Sequence, residues 1–538
     1  MIRLTLILLI CLLGCSARAA GKFIEYGWDC PTTALYRQDV REMEKIPFDG
    51  IVIKVAPADE AKSGHGSLTR RPFSRRRFEP DEYQHAIDDL IAVKDSRFTD
   101  NLIQMVTSPG DVDWFDPDWD SITYNAGIIA RIAKLGGCRG IMIDPEQYSG
   151  YSTWGYARLP QSLKDAHTFE EYRQKVRQRG REFIRAINSE YPGILILTLF
   201  GPSYAYLQST VQPLSECEYG FLSPFFDGIC EAADENTIIV DGYEISYPYR
   251  IREAFQQGRE YQLVGAKSIS QCPEEFAKHM RCGFGIWADY NSGKIGWHPD
   301  DLTKNWFSPA GLQASLNYAL TASDGYVWVY CERFSWFDGT APKEFVEALR
   351  LAKERPGKPD IPKMEVPTAE EQPDYADDKW LAVLRQAQDA KDMIPLFDLP
   401  KTGWRFHTDP GRFGEKRGWH RPGFDDSGWR DIKIGRFWEQ EGELYDGTAW
   451  YRLRLDLPKL DAKGRIYLAF GAADEIATVW VNGIKVGVHD QWEYGWNTPF
   501  AFDVTSALRP GATNVIAVRV FDFQGGGGLW KSIKLMTK

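Results

Sequence analysis

The sequence predicts an α/β chain in which a (β/α)8 TIM barrel is followed by an all-β jelly-roll sandwich. Three observations carry that expectation. From Lys22 to about Pro356, short apolar β-rich runs alternate with amphipathic stretches of helical period, eight times over. Residues 354–378, "ERPGKPDIPKMEVPTAEEQPDYADD", are rich in proline and acid and lack periodic apolar positions, as a linker does. From about Gly403 the pattern changes to alternating strands with turn signals every 8 to 12 residues or so, the mark of a sandwich.

The strand candidates run in order "FIEYGWD" from Phe23, "GIVIKVA" from Gly50, "LIQMVTS" from Leu102 and "GIMIDPE" from Gly140. They continue with "ILILTLF" from Ile194, "IIVDGYEISY" from Ile238, "FGIWADY" from Phe284 and "YVWVYCE" from Tyr326. Between them Tyr83 to Val93 has helical spacing, Ile122 to Leu135 ends on Gly136-Gly137, and Thr168-Phe-Glu-Glu171 is a capping box opening a helix to Ile187. A doubly wound open sheet is the competing arrangement, but the first βα turn carries no G-x-G-x-x-G. The organisation expected is a leader at 1–19, the barrel at 20–355, a linker and connecting helix at 356–399 and the sandwich at 400–538. The helix, Lys379 to about Met393, is expected to join the two domains, since an isolated helix of that length is marginal in water.

Five stretches of the last part carry a resemblance: "GWHRPGFDDSGWRDIKI" at 418, "YDGTAWYRLRLDLP" at 445, "AFGAADEIATVWVNGIKVG" at 469, "PFAFDVTSALRPGATNVIAVRV" at 499 and "GGGGLWKSIKL" at 525. Residues 403–538 resemble the galactose-binding-like jelly roll at the start of family 2 glycoside hydrolases, which also accompanies many other glycosidases. The resemblance implies the fold of this quarter of the chain and a glycosidase context. Many such modules accompany a barrel without binding sugar themselves.

The first 19 residues read as an export signal: Arg3, the apolar run Leu4 to Leu13 and Ala17-Arg-Ala19 at the cleavage spacing. Secretion or delivery to a periplasm follows as the expectation. Leu12-Leu-Gly-Cys15 also resembles a lipoprotein signal, which would anchor Cys15 at a cell surface by lipid. No later apolar run has membrane-spanning length. The formal charge of −11 makes nucleic acid an unexpected partner. Nineteen Trp among 14% aromatic residues permit stacking on sugar rings. Beyond the leader the cysteines are Cys30, Cys138, Cys217, Cys230, Cys272, Cys282 and Cys331, an odd set with no zinc spacing. No H-E-x-x-H, G-x-S-x-G or Walker loop occurs, and the histidines are scattered, so no metal or cofactor is expected.

The active site of such a barrel lies at the carboxyl ends of its strands. In "GIMIDPEQY" alternation puts Met142, Asp144 and Glu146 on one face, with Tyr148 beyond. Strand eight turns Tyr326, Trp328, Tyr330 and Glu332 inward, strand seven turns in Trp287 and Asp289, followed by Tyr290, and strand one ends in Trp28 and Asp29. Strand six offers Glu244, or Asp241 with Tyr247, and alternation does not decide the face. Trp336 is expected at the mouth with Trp28 and Trp287, and His298 in a loop nearby.

Glycosidic cleavage needs one carboxylic acid to protonate the leaving oxygen and one carboxylate to attack the anomeric carbon or activate water, and clustered acids raise at least one pKa. Glu146 is the expected proton donor, tuned by Asp144, with Glu332 as partner and Glu244 in reserve. Many barrel glycosidases resemble this chain in placing their donor on strand four. The retaining clan among them draws its nucleophile from strand seven, where Asp289 stands here, but its Asn-Glu-Pro motif is absent. Asp-Pro-Glu also looks like the D-x-E ending of chitinase-type barrels, without their full run of aspartates, which argues against their substrate-assisted mechanism. The expected function is an exported glycoside hydrolase acting on a polysaccharide or oligosaccharide. The alternatives are a non-catalytic glycan-binding protein with a degenerate barrel, and a polysaccharide lyase, whose uronate substrate an acid-rich mouth would repel.

Overall fold

The computed structural model describes residues 21–58, 72–107, 112–147, 153–210, 212–290, 296–354, 379–386, 390–409, 414–443, 445, 447–462, 464–490, 495–522 and 526–538. The leader at 1–19 with Cys15, Tyr148 and most of the proline-rich linker lie outside them.

Eight parallel strands close into a barrel in sequence order: β1 (Lys22–Glu25), β2 (Gly50–Ile53), β3 (Leu102–Val106), β4 (Gly140–Asp144), β5 (Leu195–Thr198), β6 (Ile238–Asp241), β7 (Met280–Trp287) and β8 (Tyr326–Tyr330). The ladder of β1 on β8, Lys22↔Tyr326 through Glu25↔Val329, makes the closure. Strands covered on both faces are near-continuously apolar, and "GIVI", "LIQMV" and "GIMID" are buried at every position, with Gln104 and Asp144 as the polar exceptions. The expected helices are present. Trp119–Leu135 stops where Gly137, at φ 74°, takes the left-handed conformation that a side chain would resist. Phe169–Glu190 opens on Thr168, whose side chain accepts from the Glu171 amide while Glu171 reaches back to the Thr168 amide.

The second part is a sandwich of two antiparallel sheets. Its strands are β9 (Ile394–Asp398), β10 (Trp404–Thr408), β11 (Arg430–Ile432), β12 (Gly447–Asp456), β13 (Ile466–Phe470), β14 (Ile476–Val481), β15 (Ile484–Asp490), β16 (Phe500–Asp503), β17 (Thr513–Asp522) and β18 (Ile533–Thr537). One sheet has the order β11-β10-β12-β17-β14-β15 and the other β16-β13-β18-β9. Because β9 pairs with β18, the sandwich takes in residues before 400.

Among the described residues the connecting helix packs on the sandwich, whereas a join between the two domains is expected. Among the described residues it covers Trp380–Gln386, and Pro395 stands in the following strand. Trp380, Leu381 and Leu384 pack on Ala469 and Met536 of the sandwich, and the Trp380 indole N–H donates to Ser532 Oγ at 2.9 Å. The barrel meets the sandwich elsewhere: Ile476 and Phe521 are part of the barrel's apolar cluster, and Gln257 donates to the Tyr445 hydroxyl at 3.4 Å. All seven cysteines from Cys30 to Cys331 are buried thiols without a disulfide partner. No helix among the described residues is long and apolar enough to cross a membrane.

Candidate active site

At the carboxyl ends of the barrel strands opens a cavity of about 560 Å³. Every barrel strand contributes to its wall or to the loop just beyond: Tyr26 and Trp28 after β1, Lys54 after β2, Gln104 on β3, Asp144 and Glu146 from β4, Leu199 after β5, Glu244 and Tyr247 after β6, Trp287 on β7, and Tyr330 with Glu332 from β8. Trp328, fully buried, packs edge-on against the lining residues Tyr26 and Tyr247, and its indole N–H donates to the Gly242 carbonyl at 2.8 Å.

Glu146 reaches the cavity just past the end of β4. Asp144, 2% exposed, accepts the Glu146 backbone N–H at 2.9 Å and so fixes the turn that presents it. Glu244 arrives by a different device. Gly242 must be glycine, because a Cβ there would lie 2.0 Å from the Thr198 carbonyl oxygen and 2.8 Å from the Trp328 indole nitrogen. Tyr243 then takes the left-handed conformation, φ 45° and ψ 61°, held by its amide donating to Asp241 at 3.2 Å. A non-glycine residue there stores roughly 1–3 kcal/mol of strain, which is characteristic of functional turns. The turn ends the strand alternation and leaves Glu244 in the cavity with Glu146 and Asp144.

These three carboxyl groups govern the electrostatics. Burial pushes the Glu244 carboxyl well above the usual carboxylate range, and the negative charges of Glu146 and Asp144 push it further, against a hydrogen bond with Tyr247. The Tyr247 phenol is raised by burial, then by Glu244, Tyr330 and Glu146, and the Tyr26 phenol by burial and then by Asp144. Glu244 is therefore a cavity acid whose carboxyl is pushed upward, by burial first and then by the two acids beside it.

Glu332 lies in the same cavity but at its exposed rim, where its carboxylate accepts from the Tyr330 hydroxyl at 3.0 Å. Trp28, 77% exposed, donates its indole N–H to the same hydroxyl at 2.6 Å and stands on the rim. Tyr247 stacks on Tyr330, ring centroids 5.5 Å apart at 20°, and Trp287 meets both rings edge-on.

Four expected contacts prove structural. Asp289, 1% exposed, accepts the backbone amides of Glu332 and Arg333 and the Trp287 indole N–H at 2.6 Å, so it ties the loop after β8 to β7. Asp29 does the same from the loop after β1, which ends its strand at Glu25, accepting from Ser335 Oγ at 2.7 Å and the Trp336 amide at 2.8 Å. Trp336 is 1% exposed, edge-on to Phe48 and Phe334, because the loop folds back into the apolar core. Tyr290 is buried between Trp287 and Trp306, one layer behind the wall. His298 is outside the cavity lining, its amide donating to Asn305 at 2.7 Å.

Sequence reasoning missed Tyr26, Lys54 and Gln104. The signal was available: Val52 and Lys54 share a face by alternation, as do Leu102 and Gln104, and the ladder pairs Val52 with Leu102. Gln104 donates to the Tyr26 hydroxyl at 3.1 Å, joining adjacent parts of the wall. Also unforeseen is a buried group in the sandwich, Asp474, Glu475 and Asp522, whose ligand atoms lie within 4.8 Å of one another, a spacing that could hold a cation.

Residues 413–525 match the family described as the β-galactosidase second all-beta domain, so the chain joins a TIM barrel to a sandwich of the β-galactosidase type. The β-galactosidase BoGH2A of Bacteroides ovatus is 31% identical over 143 residues, 24% of this chain and 16% of that protein. A β-glucuronidase of Formosa agariphila is 38% identical over 85 residues, 16% of this chain and 8% of that one. A β-glucuronidase of Paenibacillus borealis is 31% identical over 126 residues, 22% and 20% of the two chains. The chain thus spans a fifth or less of the length of these curated relatives. A solved β-glucuronidase from Ruminococcus gnavus matches with a TM-score of 0.22 and 22% identity, over 27% of this chain and 28% of that one.

Proposed function

We propose that this chain is a glycoside hydrolase that cleaves O-glycosidic bonds of a polysaccharide or oligosaccharide at the barrel mouth. One observation carries the reading: Glu244, Glu146 and Asp144 share one cavity, where burial first and the other two acids next raise the Glu244 carboxyl well above the usual range. A carboxyl pushed toward its protonated form beside a second carboxyl group is the arrangement that glycosidic cleavage uses. Glu244 protonates the leaving oxygen. Glu146 attacks the anomeric carbon or activates water, and Asp144 orients it. This reverses the role expected for Glu146 and places Glu332 at the rim as a substrate contact. The kinship of residues 413–525 with a β-galactosidase domain supports a glycosidase context.

The substrate is a glycan seated on Trp28, Trp287 and Tyr330. Export through residues 1–19, to the periplasm or outside the cell, belongs to the same reading, with a lipid anchor at Cys15 as the alternative. The deciding experiment is a polysaccharide panel with product analysis, run on the wild type, Glu146→Gln and Glu244→Gln. Products from the wild type and none from either variant are expected. Binding without products from the wild type would make it a glycan-binding protein instead.

A further inference from the structure

Lys54 is a cavity residue with no use in that mechanism. It follows β2, half-buried, in the wall of the cavity. Among the described residues its ammonium makes no ion pair and no hydrogen bond. Among the described residues that line the cavity it is also the only lysine or arginine. An ammonium drawn partly out of water without a partner is unfavourable unless a ligand supplies one.

The carboxylates of the site do not fill that role. In the closed order of the barrel, β2 lies opposite β6, so Lys54 and Glu244 face each other from opposite walls. The Glu244 carboxyl, on the far side of the cavity from Lys54, is raised by burial and then by Glu146 and Asp144. Behind the wall, Glu25 is fully buried; burial and then the charge of Asp29 raise its carboxyl well above the usual range, against the pull of the Lys54 ammonium, with which it forms no ion pair.

We propose that Lys54 anchors an anionic substituent, a carboxylate or a sulfate, on the sugar that the cavity takes. The proposal rests on the glycan reading of the same site and narrows its substrate class. The division of the mouth makes such a substrate compatible with an acid-rich site. Lys54 and Trp28 follow adjacent strands, whereas Glu146 and Glu244 come from β4 and β6, so a ring stacked on Trp28 has a cation within the neighbouring part of the wall to which it can present a charged group. The expectation that these acids repel a uronate therefore holds for one wall only. The residues matched by the β-galactosidase family, 413–525, lie outside the barrel and contribute nothing to this wall.

The test is titration calorimetry of the full chain, Lys54→Met and Lys54→Arg against two matched pairs of probes. Oligogalacturonate with its methyl ester reads a carboxylate, and carrageenan oligosaccharide with its desulfated form reads a sulfate. In the wild type, one charged probe should bind at least about tenfold more tightly than its neutral partner, with a preference that weakens as salt is raised. Lys54→Met should erase the preference while leaving the neutral probe unchanged, and Lys54→Arg should keep most of it. Equal binding of charged and neutral forms, a preference that survives in Lys54→Met, or no binding of any probe would overturn the proposal. Charge preference is read without turnover, so its presence in a chain that yields no products would sink the hydrolase reading alone.

Discussion

Asp144 accepts the backbone N–H of Glu146 at 2.9 Å, while its charge is among the causes that keep Glu244 protonated. One carboxylate thus has a mechanical task and an electrostatic one, and substitution separates them. Asparagine at 144 retains an oxygen for the Glu146 amide but removes the charge. A negative neighbour raises a carboxyl pKa, so its removal lowers that of Glu244. The alkaline limb of the kcat/KM profile, where the general acid loses its proton, should move to lower pH in Asp144→Asn. An unmoved alkaline limb would remove Asp144 from the electrostatics of the site.

The two glutamates differ in their response to the leaving group. Glu244→Gln should lower turnover of natural glycans by about 10²- to 10⁴-fold, the usual worth of general acid catalysis. Aryl glycosides with acidic leaving groups should recover most of that loss, because they depart without a proton. Glu146→Gln should lose both substrates, since attack at the anomeric carbon, direct or through water, serves each. The opposite pattern, with aryl rescue in Glu146→Gln, would exchange the two roles.

A burden on the fold accompanies the acid. Glu244 ionises more readily in the unfolded chain than in the folded one, so its contribution to stability is fully present below its unfolded pKa and lost as pH rises through the raised folded value. Glutamine does not titrate. Glu244→Gln should therefore raise Tm relative to the wild type, and the gain should grow from pH 4 to pH 8. A Tm difference that is flat with pH would mean that the folded state does not resist ionisation of Glu244.

Much of this was readable in the sequence, for identifiable reasons. Runs such as "GIVI" and "GIMID" specify buried parallel strands because only a doubly covered sheet tolerates them, and the alternation of "YVWVYCE" correctly turned Trp328 and Tyr330 inward. The same rule puts Asp144 and Glu146 in one cavity. It did not decide the face of Glu244, since the left-handed Tyr243 interrupts the alternation one residue earlier, and local pattern does not announce such a turn. Asp29, Asp289 and Trp336 were misplaced because the loop after β8 folds back on its neighbours, a tertiary event linking residues about 300 and 40 positions apart. Lys54 and Gln104 were overlooked in strands that otherwise read as plain core.

Trp28 and Trp336, alike in the sequence as mouth tryptophans, should give opposite outcomes on truncation. Trp28 is 77% exposed and held by one indole hydrogen bond to Tyr330, whereas Trp336 is 1% exposed and wedged against Phe48 and Phe334. Trp28→Ala removes a flat apolar face without opening a void, so Tm should stay near the wild-type value while glycan binding weakens by roughly 1–3 kcal/mol, the scale of stacking on a flat ligand. Trp336→Ala leaves a buried cavity and should destabilise the barrel by about 3–5 kcal/mol. The loop it anchors also carries Glu332, so the same variant should loosen the rim, whereas Trp336→Phe should keep most of both stability and affinity. Thermal melts and glycan titrations of the three variants decide the matter: a Trp28→Ala protein that unfolds early, or a Trp336→Ala protein that melts like the wild type, would reverse the assignment of platform and core.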